Sequence, residues 1–211
     1  MVLGTTPPSA AVERQHRPKV GRWIPMQDLK GNIMTQTSVE IPAGIDTAAI
    51  RAAARNLDDG AVTAGYQADR QELITLLNGA LATELVCIAR YKRHYYTVSG
   101  RDNGSIKAEF LEHAQQEQEH ADWLAERIVQ LNGKPDFNPA TLLARSHAEY
   151  DDSEDVQSMV RANLIAERVA IESYRQMIVK IGDKDPTTRH LLIKIMAVEE
   201  EHADDMRDLM E

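Results

Sequence analysis

The sequence predicts an all-α protein: a four-helix bundle with one long crossover between its second and third helices, preceded by an irregular N-terminal arm. Three observations carry this. From Asp69 onward, apolar residues recur at spacings of three and four along four long stretches. Each stretch is bounded by helix start and stop residues. Aromatics make up only 5% of the chain, with two Phe and two Trp, which is thin for a sandwich or barrel but enough for packed helices.

The arm, residues 1–68, holds Pro7, Pro8, Pro18, Pro25 and Pro42. Between Val12 and Lys30 its charges are Glu13, Arg14, Arg17, Lys19, Arg22, Asp28 and Lys30, a local excess of positive charge. A tail packed on its own or a neighbouring subunit is the plainer reading. A basic arm touching DNA or another partner is the sharper one. A short helix is expected over Thr47–Asn56. Residues 69–211 form the bundle. Asp69-Arg-Gln-Glu72 is a capping box, and the first long helix runs from it to Val98, where Ser99-Gly100 stops it. Ser105 opens the second, which ends at Asn132-Gly133 with Pro135 beyond. Ser153-Glu-Asp opens the third, which stops at Gly182. Asp185-Pro186 starts the fourth as a cap followed by proline at the first helical position. Short turns make the helices within each pair antiparallel. Lys134–Asp152, with a short helix expected over Thr141–Ser146, is long enough to cross between the pairs.

The buried stripe of each helix carries a residue that does not belong in an apolar core. On the first helix Leu77, Leu81, Ile88, Tyr91 and Tyr95 define the face, and Glu84 falls among them. On the second, Glu117 and His120 interrupt Phe110, Ala114, Ala121, Leu124, Ile128 and Leu131. On the third, Glu167 interrupts Val156, Val160, Asn163, Ala170, Tyr174 and Ile178. On the fourth, Glu199 and His202 interrupt Leu192, Ile195, Met206 and Leu209. An isolated buried carboxylate costs several kcal/mol even after relaxation. Two divalent cations resolve this, because four positive charges balance four carboxylates and two neutral imidazoles complete the donor set. A Glu-x-x-His spacing aims both side chains at one centre. The pattern also repeats. Glu84 and Tyr91 recur as Glu167 and Tyr174 at an offset of 83 residues, and Glu117 and His120 as Glu199 and His202 at 82. The hairpins read as copies, each supplying half of a two-metal site.

Other residues read more plainly. Glu112, Glu119, Glu172, Glu200 and Glu201 lie off the buried faces and are expected in solvent. His113 lies at the edge of its face, one turn before Glu117, and is expected at the surface, with a role in metal access as the lesser reading. Two readings stand for Tyr91 and Tyr174: core packing, or hydroxyls that bond ligand carboxylates or supply an electron during oxygen reduction. Cys87 reads as a core thiol, and one cysteine excludes an intrachain disulfide or a cysteine-built cluster. A net charge of -9 disfavours generic nucleic-acid or membrane binding. No apolar run is expected to reach the ~20 residues that span a bilayer. No signal peptide is read at the N-terminus, so the expected location is the cytoplasm.

These residues resemble the ferritin superfamily, above all bacterioferritin and the Dps-like mini-ferritins, over roughly Asp69 to Glu211. The resemblance rests on Glu84-Leu-Val-Cys-Ile-Ala-Arg-Tyr91, Glu117-Gln-Glu-His120-Ala-Asp, Ala166-Glu167-Arg-Val-Ala-Ile-Glu-Ser-Tyr174 and Glu199-Glu-Glu-His202-Ala-Asp. It implies an intrasubunit di-iron ferroxidase centre, with Glu84, Glu117 and His120 serving one iron and Glu167, Glu199 and His202 the other. Glu117 and Glu199 would bridge. Such proteins oxidise Fe(II) with dioxygen or hydrogen peroxide and store the product in a hollow shell. Gln118 stands where bacterioferritin has its haem-ligating methionine, so haem is not expected. No fifth helix follows the fourth, which favours a homo-oligomer of twelve over one of 24. The combination resembles a Dps-like group with a bacterioferritin-type site, although that group often has a cysteine pair near the centre.

The expected function is therefore iron oxidation and storage or detoxification in a cage. The alternative is a di-iron or di-manganese peroxidase, catalase or hydroxylase without mineral storage. A DNA-binding shell is a third reading and rests only on the basic arm. Carboxylate and imidazole donors suit iron, manganese and zinc alike.

Overall fold

The computed structural model describes residues 44–210. The basic stretch Val12–Lys30, with the DNA contact it suggested, lies outside them. The chain divides into two units at Ile45/Asp46, and the architecture below is that of the second, Asp46–Glu211. Among the described residues there are six α-helices, a single 3-10 turn and no strand.

Helix α1 (Thr47–Ala53) is capped by the Asp46 carboxylate, which accepts from Ala49 N–H at 2.9 Å, and it buries none of its residues. Helix α2 (Arg70–Thr97) starts at Asp69, whose carboxylate accepts from Glu72 N–H at 3.0 Å. Helix α3 (Gly104–Gln130) begins just ahead of the predicted Ser105, because a 3-10 turn over Arg101–Asn103 feeds straight into it. At its end Asn132 turns left-handed, with φ 61°, and Gly133 N–H closes back on Ile128 O at 2.8 Å. A Cβ on Gly133 would stand 2.9 Å from side-chain carbons of Ile74 and Ile128, so glycine allows that close approach. Helix α4 (Leu142–Arg145) lies in the crossover. Helix α5 (Val156–Ile181) starts later than Ser153. Its cap is Asp155, accepting from Ser158 N–H at 2.8 Å, so Ser153 and Glu154 precede the helix instead of filling its first turn. Helix α6 (Pro186–Asp208) is capped by Asp185 with Pro186 in its first turn.

Helix α2 packs on α3 and α5 on α6, the pairs meet through α2–α5 and α3–α6, and α4 rests on α2. Two large apolar clusters, with a small one of Cys87, Ala148 and Ala166, form the core. The larger includes Leu77, Leu81, Leu124, Ile128, Leu192 and Ile195. The second contains Tyr91, Phe110, Ala114, Met159, Val160 and Met206. Along α3 and α6 the Glu-x-x-His pairs lie between residues of one cluster and residues of the other, so a polar layer separates two apolar ones. Tyr95, Val156, Ile178 and Leu209, predicted on the buried faces, are only partly buried.

Helix α2 departs from one expectation. By length and composition it is apolar enough to cross a membrane, with mean hydropathy 1.5 over its most apolar window. Of that window, 56% is buried inside the protein, against the other helices. Its apolarity is consumed by the bundle core.

At the far end of the larger cluster, Arg127 of α3 grips Asp185. Its Nη2 donates to both carboxylate oxygens at 3.1 and 2.9 Å, and its Nε donates to Thr188 Oγ1 at 2.8 Å. Tyr66, ahead of α2, donates its hydroxyl to Asp185 Oδ2 at 2.8 Å. One buried carboxylate thus caps α6, pairs with α3 and holds the segment leading into α2.

Candidate metal centre

Six side chains predicted from four different helices converge in the polar layer. Glu84, Glu117, Glu167, Glu199, His120 and His202 are each 1% exposed or less. Each sits at mid-helix, so its backbone groups are bonded within the helix and only the side chain needs partners. Donor atoms of Glu84, Glu117, His120 and Glu199 lie within 4.8 Å of one another, and so do those of Glu117, Glu167, Glu199 and His202. Glu117 and Glu199 belong to both groups.

Both imidazoles turn Nδ1 inward. His120 Nδ1 stands 2.8 Å from Glu199 Oε1, 3.1 Å from Glu117 Oε2 and 3.7 Å from Glu84 Oε2. His202 Nδ1 stands 3.4 Å from Glu199 Oε2, 3.6 Å from Glu117 Oε1 and 3.9 Å from Glu167 Oε2. His202 Nε2 points the other way, 2.7 Å from Gln116 Oε1, which fixes the ring. Despite this crowding, Glu117 Oε1, Glu167 Oε2, both Glu199 oxygens and His202 Nδ1 are buried without a hydrogen bond of acceptable geometry. Buried polar atoms left so are rare. His120 Nδ1 and Glu117 Oε2 do bond, at 3.1 Å. The carboxylate oxygens and the imidazole nitrogen left over, converging with the rest, fit divalent cations as the missing partners.

The electrostatics agree. Burial pushes the Glu84 carboxyl up to about 8, helped by the neighbouring Glu117. Burial, with Glu117 and Glu199 nearby, lifts Glu167 well above the carboxylate range. Burial alone would depress both imidazoles, but the carboxylates around them outweigh it and push His120 up to about 12 and His202 to about 11. Burial would also raise Glu117 and Glu199, yet contact with the two imidazoles holds both below their usual range. Without cations, the raised imidazoles face two lowered carboxylates, while Glu84 and Glu167 are shifted toward their neutral form.

The tyrosines do more than pack. Tyr91 donates its hydroxyl to Glu167 Oε1, and Tyr174 donates to Glu84 Oε1. Both are buried, and each bonds a glutamate of the opposite hairpin. Cys87 is a buried free thiol as expected. The acids set aside as solvent residues, Glu112, Glu119, Glu172, Glu200 and Glu201, are exposed.

Several neighbours escaped the sequence reading. Arg90 is fully buried beside the cluster, with Nη2 4.0 Å from Glu167 Oε1 and 3.4 Å from Cys87 Sγ. Its Nε donates to Asn163 Oδ1 at 2.8 Å, and the Asn163 amide lies 3.1 Å from His94 Nδ1. His113 corrects an expectation: it is 1% exposed, not at the surface. Phe110 and Ala114 beside it are core residues, and the face is one position wider than its apolar members suggest. Its ring stacks on His202, with centroids 3.9 Å apart, and burial together with that neighbour pushes it down to about 3.

The family described as Ferritin-like domain matches residues 74–211. The DNA protection during starvation protein of Halobacterium salinarum is 29% identical over 140 residues, covering 64% of this chain and 76% of that protein. The bacterioferritin of Desulfovibrio desulfuricans is 29% identical over 141 residues, covering 66% and 75%. Among solved structures, the dodecameric thioferritin of Bacteroides fragilis, a bacterioferritin-related protein, superposes with a TM-score of 0.65 at 33% identity, covering 67% of this chain and 86% of that one.

Proposed function

This chain belongs to the ferritin-like family, and on that footing we propose that it oxidises Fe(II) at the buried glutamate–histidine cluster and stores the product inside a homo-oligomeric shell. The observation that carries the reading is the set of buried donors, drawn from four helices, that converge in two overlapping groups and leave five of their atoms without a hydrogen bond. Glu84, Glu117 and His120 would hold one Fe(II) as substrate, and Glu167, Glu199 and His202 the other, with Glu117 and Glu199 shared. Each Fe(II) gives an electron to dioxygen or hydrogen peroxide.

The protein's own part is to place and to exchange charge. Glu84 and Glu167 surrender their protons as Fe(II) arrives, and His120 and His202 turn neutral so that Nδ1 has a lone pair to give. Tyr174 and Tyr91 keep one oxygen of Glu84 and of Glu167 hydrogen-bonded, which leaves the second oxygen of each for the cation. The buried tyrosines are also the side chains best placed to supply a further electron. Exclusion of water by the apolar clusters on either side strengthens each electrostatic contact in the layer.

A shell of twelve is supported by the likeness to the dodecameric thioferritin. Native mass measurement with metal analysis, before and after Fe(II) and oxidant, tests the whole reading. The expected result is a dodecamer that accumulates many irons per chain. A monomer or dimer that stops at two metals per chain would replace storage with a dimetal redox enzyme.

A further inference from the structure

Beside the buried cluster lies a group of donors that iron oxidation does not use. Glu109 and His113 sit one turn apart on α3, and Asp205 faces them from α6. His113 Nε2 is 3.3 Å from Glu109 Oε1 and 3.5 Å from Asp205 Oδ2. One donor atom from each residue lies within 4.8 Å of the other two. The imidazole is buried, whereas the Glu109 and Asp205 side chains are 32% and 44% exposed. The group is therefore closed on its imidazole side and open to water on its carboxylate side. Glu112, Glu201 and Asp208 add negative charge around it.

Hydrogen-bond accounting says what belongs between these atoms. Tyr91 has one hydroxyl proton and donates it to Glu167. His113 Nδ1, 3.1 Å from the same hydroxyl oxygen, must then be the donor in that contact. With Nδ1 committed to that contact, Nε2 is the ring nitrogen turned to Glu109 and Asp205, and a bound cation would take its lone pair. That lone pair meets two carboxylate oxygens, which are acceptors as well. Three acceptors converging at an opening to solvent, one imidazole and two carboxylates, are the donor set of a divalent cation with positions left for water.

We propose that Glu109, His113 and Asp205 form a separate mononuclear divalent-cation site at the solvent edge of the buried cluster, and that this outer site passes Fe(II) inward. The delivery step rests on the buried cluster being the oxidation centre. The outer site's existence does not. The two donor groups abut, because His113 stacks on His202 with 20° between their ring planes. His113 also touches the hydroxyl that bonds Glu167, so it contacts the inner group twice.

Zn(II), which is redox-inert, is the probe for position, and Co(II), followed by its visible bands, is the probe for rate. Crystals of the full chain soaked in Zn(II) are expected to show anomalous peaks at the inner pair and a third peak between Glu109, His113 and Asp205. In the Glu109→Gln/Asp205→Asn double variant the third peak is lost and the inner two remain. Asp205→Asn alone weakens outer Zn(II) binding by ~10-fold or more. The double variant fills its inner pair with Co(II) at least ~10-fold more slowly, to the same final occupancy. Wild-type crystals with inner peaks only would overturn the outer site. An unchanged Co(II) loading rate in a variant that has lost the third peak would overturn delivery. A filled outer site beside an empty inner cluster would uphold the outer site and overturn the oxidation reading instead.

Discussion

Each glutamate in the polar layer has a job that its neighbours define. Glu117 and Glu199 touch both imidazoles, while Glu84 and Glu167 are held by tyrosines from across the bundle. Replacing Glu117 or His202 with alanine is expected to abolish fast Fe(II) oxidation, measured by stopped-flow absorbance, with the helical circular dichroism intact. Wild-type rates in either variant would remove those residues from the centre. The raised imidazoles and carboxyls carry a second expectation. His120, His202 and Glu84 lie above pH 7 in the cation-free cluster, and burial shifts Glu167 in the same direction as Glu84. Loading the cluster must expel those protons, so divalent-ion affinity rises with pH. Titration with Zn(II) in weakly buffered solution should release about three protons or more per filled pair, and no release would contradict the charge balance described above. These six residues were legible in the sequence because a carboxylate at a core position contradicts its surroundings. Arg90 and His113 were not. Arg90 is satisfied by Asn163 and by Glu149 O, at separations of 73 and 59 residues that no helical period can show.

At the scale of elements, the helices follow their caps. Asp69, Asp155 and Asp185 each accept from the backbone three residues on, and the ends fall at Gly182 and at Asn132-Gly133. Where the reading slipped, at Ser153, four cap-forming residues (Asp151, Asp152, Ser153 and Asp155) lie within five positions, and Asp155 is the one that accepts from the first turn of α5. Asp185 is more than a cap. Burial alone would raise its carboxyl, but hydrogen bonds from Thr188, Tyr66 and Arg127 outweigh it and hold it below the usual carboxylate range. A carboxyl lower in the folded than in the unfolded chain stabilises fully above the unfolded value of about 3.9, and that contribution is lost as pH falls through the folded value. Asp185→Asn keeps the cap but unbalances Arg127, and should destabilise by about 3 kcal/mol at pH 7. Urea unfolding at pH 7 and at pH 3 should show the gap between variant and wild type shrinking in acid. A gap that is constant with pH would mean the ion pair contributes nothing beyond shape.

For the whole molecule, the polar layer is a cost that cations remove. A ligand that binds only the folded state stabilises it, by about 2.7 kcal/mol at 100 times its dissociation constant, and ~2–4 °C of melting temperature follows each kcal/mol in a chain of this size. Saturating Zn(II) should therefore raise the melting temperature by ~5–10 °C, and Glu117→Ala should abolish most of that rise. Scanning calorimetry with and without chelator checks it. The bundle itself could be read from periodicity and punctuation, because most of its contacts are within hairpins joined by short turns. What joins one hairpin to the other could not. The Arg127–Asp185 grip and the Arg90–Asn163 contact link residues that share no motif.

The crossed tyrosine bonds say something about descent. Tyr91 reaches from the first hairpin to Glu167 in the second, and Tyr174 returns from the second to Glu84 in the first. The exchange is reciprocal, as in a twofold homodimer. An ancestral peptide of one hairpin would have owned a tyrosine, two glutamates and a histidine, yet it would have had no complete centre until it met its own copy. Joining two such copies in one chain would turn their dimer interface into an interior. The long crossover through α4 is the link between the halves, and one chain lets them differ where a homodimer could not: α3 has His113 where α6 has Ile195 at the matching place.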